Sequence, residues 1–271
     1  MEVTLGQYMA ASAAALAAGL GKTGLAGASI LMVPLMAWAF PPGSQAGIML
    51  PVLFVTDILA VAWYRRAGKI RLLLRTLPWA MIGVLMGFAL LRIFIAKDAP
   101  YHSAQSDLWL RRALGAAILA MVAINLRIGG LSSAPSRSGD TAADALSPPA
   151  TALAAWTAPL AGAAAGLTSM VANASGPIWI IYFLMLRLPK REFIGTSAWA
   201  FLAIDCVKLP LQASLGHIRP ETLSFNLRML PGMAVGCALG IWVLPRVNQK
   251  WFNLMAIALA ALGGAHLLAA R

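Results

Sequence analysis

The sequence predicts an all-α, polytopic membrane protein made of two inverted repeats. Each repeat is expected to hold a broken or re-entrant helical hairpin, segments A and B, followed by three transmembrane helices, C to E. Four observations lead there. Of the 271 residues 60% are hydrophobic and only 11% charged, against about 25% charged in soluble domains, and the mean hydropathy is +0.78. Apolar stretches of about 20 residues, the length of a membrane-spanning helix, recur along the chain. The 21 Lys and Arg outnumber the 9 Asp and Glu and cluster between the apolar stretches, the distribution that retains cationic loops on the cytoplasmic side rather than one that binds nucleic acid. Finally, the two halves resemble each other.

The resemblance is in register over long blocks. AGIMLPVLFVTDILAVAWYRRAGKI aligns with IGTSAWAFLAIDCVKLPLQASLGHI, pairing Gly47 with Gly195, Asp57 with Asp205, Gly68 with Gly216 and Ile70 with Ile218. LLRTLPWAMIGVLMG aligns with FNLRMLPGMAVGCALG, pairing Arg75 with Arg228, Pro78 with Pro231, Gly83 with Gly236 and Gly87 with Gly240. AAGLGKTGLAGASILMVPLM resembles AAGLTSMVANASGPIWIIYFLM. An intramembrane Asp and an LRxLP motif recurring in order point to duplication.

Segments A to E are expected at Gly6 to Leu20, Leu25 to Phe40, Gly47 to Tyr64, Leu72 to Ile95 and Leu108 to Leu126 in the first half, and at Thr151 to Leu167, Ser175 to Leu186, Phe193 to Leu215, Leu223 to Leu244 and Trp251 to Ala269 in the second. Residues 1–128 and 151–271 form the repeats, and the Gly, Ser, Pro and Asp-rich stretch over 129–150 is a linker that cannot span a bilayer. Glu2 is the only charge before Lys22, so no cleavable leader is expected and segment A stays in the mature protein. Arg65, Arg66, Lys69, Arg71 and Arg75 follow the first C segment, whereas Arg187, Lys190 and Arg191 precede the second. If both clusters are cytoplasmic, the two C segments run in opposite directions and both termini lie outside. Trp38, Trp63, Trp109 and Trp251 fit interfacial belts.

Function is sought where the helices break, because backbone freed at a break is tolerated in a membrane only where it lines a cavity. Gly24, Gly27 and Ser29 precede the first B segment; Asn173, Ser175 and Gly176 precede the second, with Pro177 suited to a first helical turn. Two opposed helix N-termini with small residues in front of them offer N–H groups and positive dipole ends to an anion. The same small residues also serve close helix packing. Lys22 in the first break either attracts or gates an anion or snorkels to the interface. Asp57, Asp205 and Lys208 are ionisable groups inside apolar segments, where they are costly and functional by default. Asp205 and Lys208, three apart on a helix, either neutralise each other or leave Lys208 for substrate charge and an Asp for a coupling proton. Thr196, Ser197 and Gln45 are further donors near the starts of the C segments.

Cys206 and Cys237 lie in apolar runs, and His102, His217 and His266 lack metal-ligand spacing, so no metal or other cofactor is called for. With no Ser/His/Asp set and no Walker loop, the chain reads neither as an enzyme nor as an ATP-driven pump. The partners expected are a small anion, protons if transport is coupled, and the bilayer itself, with the oligomeric state left open and a homodimer among the options. A proton-coupled carrier of another small ion and a non-transporting membrane assembly factor are the competing readings.

The two Gly-rich openings, with NASGP and LPKREFIGTSAWAFLAIDCVKLPLQ, resemble the TauE/SafE or sulfite exporter family, also called TSUP, over nearly the whole chain outside the linker and the loop from Lys97 to Asp107. The resemblance implies secondary or potential-driven transport of sulfite, thiosulfate, sulfoacetate and related organosulfonates across the bacterial inner membrane. Two departures stand out: Lys22, Thr23 and Ala26 replace a denser glycine run, and Asp205 stands where similar sequences lead one to expect an Asn.

Overall fold

A computed structural model describes residues 4–40, 42–96, 148–173, 175–218 and 220–269, with 116, 119, 122 and 123. Most of the expected first E segment, most of the linker, His102 and Trp109 lie outside the described residues, as do the side chains of Trp38, Gln45 and His266. The described chain is all-helical: α1 Leu5–Thr23, a 3-10 turn Ala28–Leu31, α2 Met32–Ala39, α3 Pro42–Tyr64, α4 Ile70–Ala96, α5 Pro148–Ala172, α6 Gly176–Met185, α7 Lys190–Ser214, α8 Pro220–Val243 and α9 Gln249–Ala269. Four stretches, Gly47–Tyr64, Ile70–Ile93, Lys190–Ser214 and Thr222–Val243, are long and apolar enough to cross a membrane. The protein is a multi-pass membrane protein.

In each hairpin a long helix is followed by a shorter one, α1 by α2 and α5 by α6. Thr4 starts α1 with a capping box that it shares with Gln7, and the Gln7 side chain reaches the end of α2, its Nε2 donating to the Ala39 carbonyl at 2.8 Å. The hairpin is therefore closed at its open end. The first helix of each hairpin outruns its expected segment. α1 runs on through Lys22 and Thr23, and α5 begins at Pro148 and runs to Ala172, where Thr151 to Leu167 was expected. Its start takes in the last three residues assigned to the linker. The polar residues that looked like a break are absorbed because their hydroxyls bond back into the helix, Thr23 to the Gly19 carbonyl at 2.9 Å and Thr168 to that of Ala165 at 3.1 Å. The breaks themselves shrink to 24–27 and 173–175.

The helices pack by exchange between the halves. α1 lies along α8 and α5 along α4, so the first helix of each half meets the fourth segment of the other. Their contacts match residue for residue. A Cβ built on Gly19 would meet the Met233 carbonyl and the Cys237 N–H, and one on Gly166 would meet those of Ala80 and Val84, the aligned positions. Gly236 faces Leu16 just as Gly83 faces Ala163. Such small-residue seams let backbones approach closely where lipid offers no hydrophobic drive between helices.

Two apolar cores follow from this exchange. One joins Ala80, Val84 and Leu91 of α4 to Ala161 and Ala165 of α5 and to the aromatic face of α6, where Trp179 stacks on Phe183 at 5.2 Å. The other joins Ala14 and Ala18 of α1 and Ile48 and Val52 of α3 to Phe225, Met229 and Met233 of α8. The α3 and α7 spans are 61% and 50% buried against 33% for each of α4 and α8, so α3 and α7 form the centre and the other two face lipid.

α3 and α7 are antiparallel. Gly47, at the start of α3, abuts the His217 carbonyl just beyond α7, and Gly195, near the start of α7, abuts Ala67 and Gly68 just beyond α3. Lys190 joins the start of α7 to the end of α8, its Nζ donating to the Leu244 carbonyl at 2.9 Å and also to those of Pro245 and Val247. Its backbone N–H donates to the side chain of Gln249. Arg65, Arg66, Lys69, Arg187, Lys190, Arg191, Arg246 and Lys250 accordingly gather at one end of the bundle. Trp63 and Trp251 stand at that end, 62% and 60% exposed.

Candidate functional site

The ionisable groups that the sequence scatters over three segments meet in the interior. Lys22, in the last turn of α1, places Nζ 2.7 Å from Asp57 Oδ1 and 3.0 Å from Oδ2 on α3. The ammonium also lies 3.5 Å from the centroid of the Phe201 ring on α7. With side chains 7% and 0% exposed, the pair is buried, and Lys22 does not snorkel.

Asp205 lies one helical turn beyond Phe201 on α7, and further along the same helix Lys208 and Gln212 reach α5. Lys208 Nζ donates to Ser169 Oγ at 3.3 Å and to Asn173 Oδ1, and stands 3.9 Å from Asp205 Oδ1. Lys208 is therefore only loosely neutralised by Asp205 and is held chiefly by uncharged acceptors. Lys22, Asp57, Asp205 and Lys208 lie within electrostatic reach of one another. The group holds two cations and two carboxylates, which balance when all are ionised.

The surroundings repeat where the charges do not. Tyr64 Oη donates to the Thr23 carbonyl at 2.9 Å, and Gln212 Nε2 to the Met170 carbonyl at 2.9 Å, both acceptors being in the last turns of the hairpin helices. Tyr64 aligns with Gln212, and Thr23 with Met170. Lys22 aligns with Ser169 and Lys208 with Ala60, so the cation sits on the hairpin helix in one half and on the central helix in the other.

The two breaks differ. In the second, Asn173 adopts φ +52°, a left-handed conformation that Asn tolerates, and this turns its side chain to Lys208. Ser175 is buried at the N-terminus of α6 without a side-chain capping bond, and Pro177 sits in the first turn. Among the described residues, a Cβ on Gly176 would meet nothing within 4 Å. Open space thus adjoins first-turn N–H groups that have no acceptor within the helix.

In the first break the backbone is packed shut. A Cβ on Gly24 would lie 2.3 Å from the Gly240 carbonyl oxygen, and one on Gly27, which has φ +98°, 2.8 Å from Leu259 Cβ. Ser29 presses its backbone on Gly21. The chain then continues through a 3-10 turn with Leu31 preceding α2 and no side-chain cap.

Thr196 and Ser197 are occupied elsewhere. Thr196 Oγ1 accepts from the Lys69 N–H at 3.0 Å, pinning the loop after α3, and Ser197 donates to the Phe193 carbonyl at 2.8 Å. They lie at least eight residues before Asp205, about 12 Å along the helix axis, so the structure does not bring them to the charge cluster. Sequence reasoning missed Ser169, Phe201, Tyr64 and Gln212. The alignment that pairs Asp57 with Asp205 also pairs Tyr64 with Gln212, and that was the available signal.

A family model described as sulfite exporter TauE/SafE matches residues 11–267. The chain belongs to the TauE/SafE family. Membership places it among membrane transporters of sulfite-type anions, a family of carriers rather than enzymes. Comparison with curated proteins and with solved structures gives no match.

Proposed function

We propose that this TauE/SafE protein is a secondary, potential-driven exporter of a small sulfur oxyanion (sulfite, thiosulfate or an organosulfonate such as sulfoacetate) in the bacterial inner membrane. The observation that carries this reading is the second break: an incompletely neutralised Lys208 is held by the amide of Asn173, and the hydroxyl of Ser175 and the N-terminus of α6 follow within three residues. A sulfonate head spreads its charge over several oxygens, which N–H groups, a hydroxyl and one ammonium can hold together. The inside-negative potential favours exit of an anion by about 2.3 kcal/mol per charge per 100 mV.

The inverted-repeat architecture belongs to the same proposal. The antiparallel central helices and the exchanged contacts of Gly19 and Gly166 are what two copies of opposite topology would produce. A second reading concerns coupling. Because the buried tetrad balances only with both carboxylates ionised, uptake of a proton by Asp57 or Asp205 as the anion enters would keep the interior neutral.

Flux into proteoliposomes with an imposed potential tests transport. Unfolding of the purified protein against sulfite, thiosulfate, sulfoacetate, taurine and sulfate tests binding, a ligand at 100 Kd adding about 2.7 kcal/mol. Selective stabilisation that Asn173→Ala abolishes is expected. Flux that follows a pH gradient at zero potential would replace potential-driven export by proton coupling, and absence of both flux and stabilisation would end the transport reading.

A further inference from the structure

A cavity of about 650 Å³ opens at the cationic end of the bundle, between the end of α3 and the start of α7, lined by Ala62 to Ala67, Arg191 and Glu192. Its charge is one-sided. Glu192 is engaged by Lys69, Nζ to Oε1 at 3.0 Å. Arg65, Arg66 and Arg191 have exposed side chains and make no ion pair among the described residues. Three guanidiniums, each with a fork of N–H donors suited to two oxygens at once, therefore surround one concavity.

The fold does not require them. The corner between α3 and α7 occurs twice, since Gly47 packs beyond α7 as Gly195 packs beyond α3. At the second corner, Ala213, Ser214 and Gly43 stand where the first has Arg65, Arg66 and Arg191. The same backbone junction forms with no arginine at these three positions.

The cavity also reaches inward. Tyr64 is one of its lining residues, is 4% exposed, and donates to the carbonyl of Thr23, the residue following Lys22. A single side chain separates the arginines from the turn that carries the buried Lys22–Asp57 pair.

We propose that Arg65, Arg66 and Arg191 form a second oxyanion site, distinct from that at Asn173 and Lys208, at the cationic mouth of the bundle. Its ligand is a compact sulfur or phosphorus oxyanion group, supplied either by a free anion or by the headgroup of an anionic lipid. Unlike a diffuse positive surface, it depends on these three side chains and not on neighbouring cations.

The test is isothermal titration of the full-length protein in a neutral detergent at low salt. The probes are sulfite, sulfate and phosphate in one arm, and short-chain phosphatidylglycerol against phosphatidylcholine in the other. The double variant Arg65→Gln/Arg66→Gln, the variant Arg191→Gln and the control Arg71→Gln are compared, each also in an Asn173→Ala background. Binding weakened about tenfold or more by the cavity substitutions, and unchanged by Arg71→Gln, is expected in both backgrounds. Persistence with Asn173→Ala separates this site from the transport site, so either can fail alone. Binding of the soluble ions, or of phosphatidylglycerol alone, supports the site and identifies its source. No binding in either arm, or equal loss with Arg71→Gln, overturns it.

Discussion

The two helix breaks start from similar sequence and reach opposite ends. At 24–27 the backbone is sealed by its neighbours and the adjacent Lys22 is matched at close range by Asp57. At 173–175 the helix start is open beside Gly176, and the nearby Lys208 is held by Ser169 and Asn173, with Asp205 at 3.9 Å. A close buried pair without space beside it is suited to holding helices together. A loosely matched cation beside space is suited to receiving an anion. Similar turns in the two halves thus carry differently matched cations.

The largest effect should come from splitting the buried pair. Lys22→Met leaves Asp57 without its cation, which for buried pairs costs about 3–5 kcal/mol, and adding Asp57→Leu should recover most of it. Equilibrium unfolding in mixed micelles checks this; a double variant as unstable as the sum of the singles would remove the pairing from the comparison.

Affinity should divide the breaks next. Asn173→Ala removes a polar contact at the open site and is expected to weaken anion binding by about 1.5–3 kcal/mol, the range for hydrogen bonds to charged groups, whereas Ser29→Ala should leave it unchanged. Calorimetric titration with the stabilising anion decides it, and equal losses would mean that both breaks bind.

Sterics give a third contrast. Gly24→Ala drives a methyl group into the Gly240 backbone and should destabilise by about 1–3 kcal/mol, while Gly176→Ala, whose methyl group meets none of the described residues within 4 Å, should be close to neutral. Paired melting curves read the difference. The smallest effects should be alike in the two halves: Tyr64→Phe and Gln212→Leu each delete one donor to a hairpin carbonyl, about 1 kcal/mol apiece. A large inequality would show that these matching hydrogen bonds are not equivalent in energy.

Much of the scaffold was legible in the sequence because its causes are local or repetitive. Apolar length and scarce charge dictate helices in a bilayer, where every backbone group must be satisfied within the segment, and this placed α3, α4, α7, α8 and α9 within a few residues. The repeated glycines marked seams before their partners were known. The hairpins were less legible: Thr23 and Thr168 look like break residues in one dimension, but hydroxyls that bond back to the preceding turn let α1 and α5 run on.

The site was legible as a set of residues but not as an arrangement. Asp57, Asp205, Lys22 and Lys208 stood out by themselves because ionisable groups in apolar segments are expensive. Which carboxylate would match which cation was not readable, since helical spacing connects Asp205 to Lys208, whereas Lys22 meets Asp57 across two helices and rests on Phe201 of a third. The sequence by itself determined the solvent of this protein, its helices and its duplicated pattern, all of which follow from composition and period. Only the tertiary structure decided that one break is sealed and the other open, because that depends on how closely Gly240 and Leu259 approach one turn while none of the described residues fills the space beside Gly176.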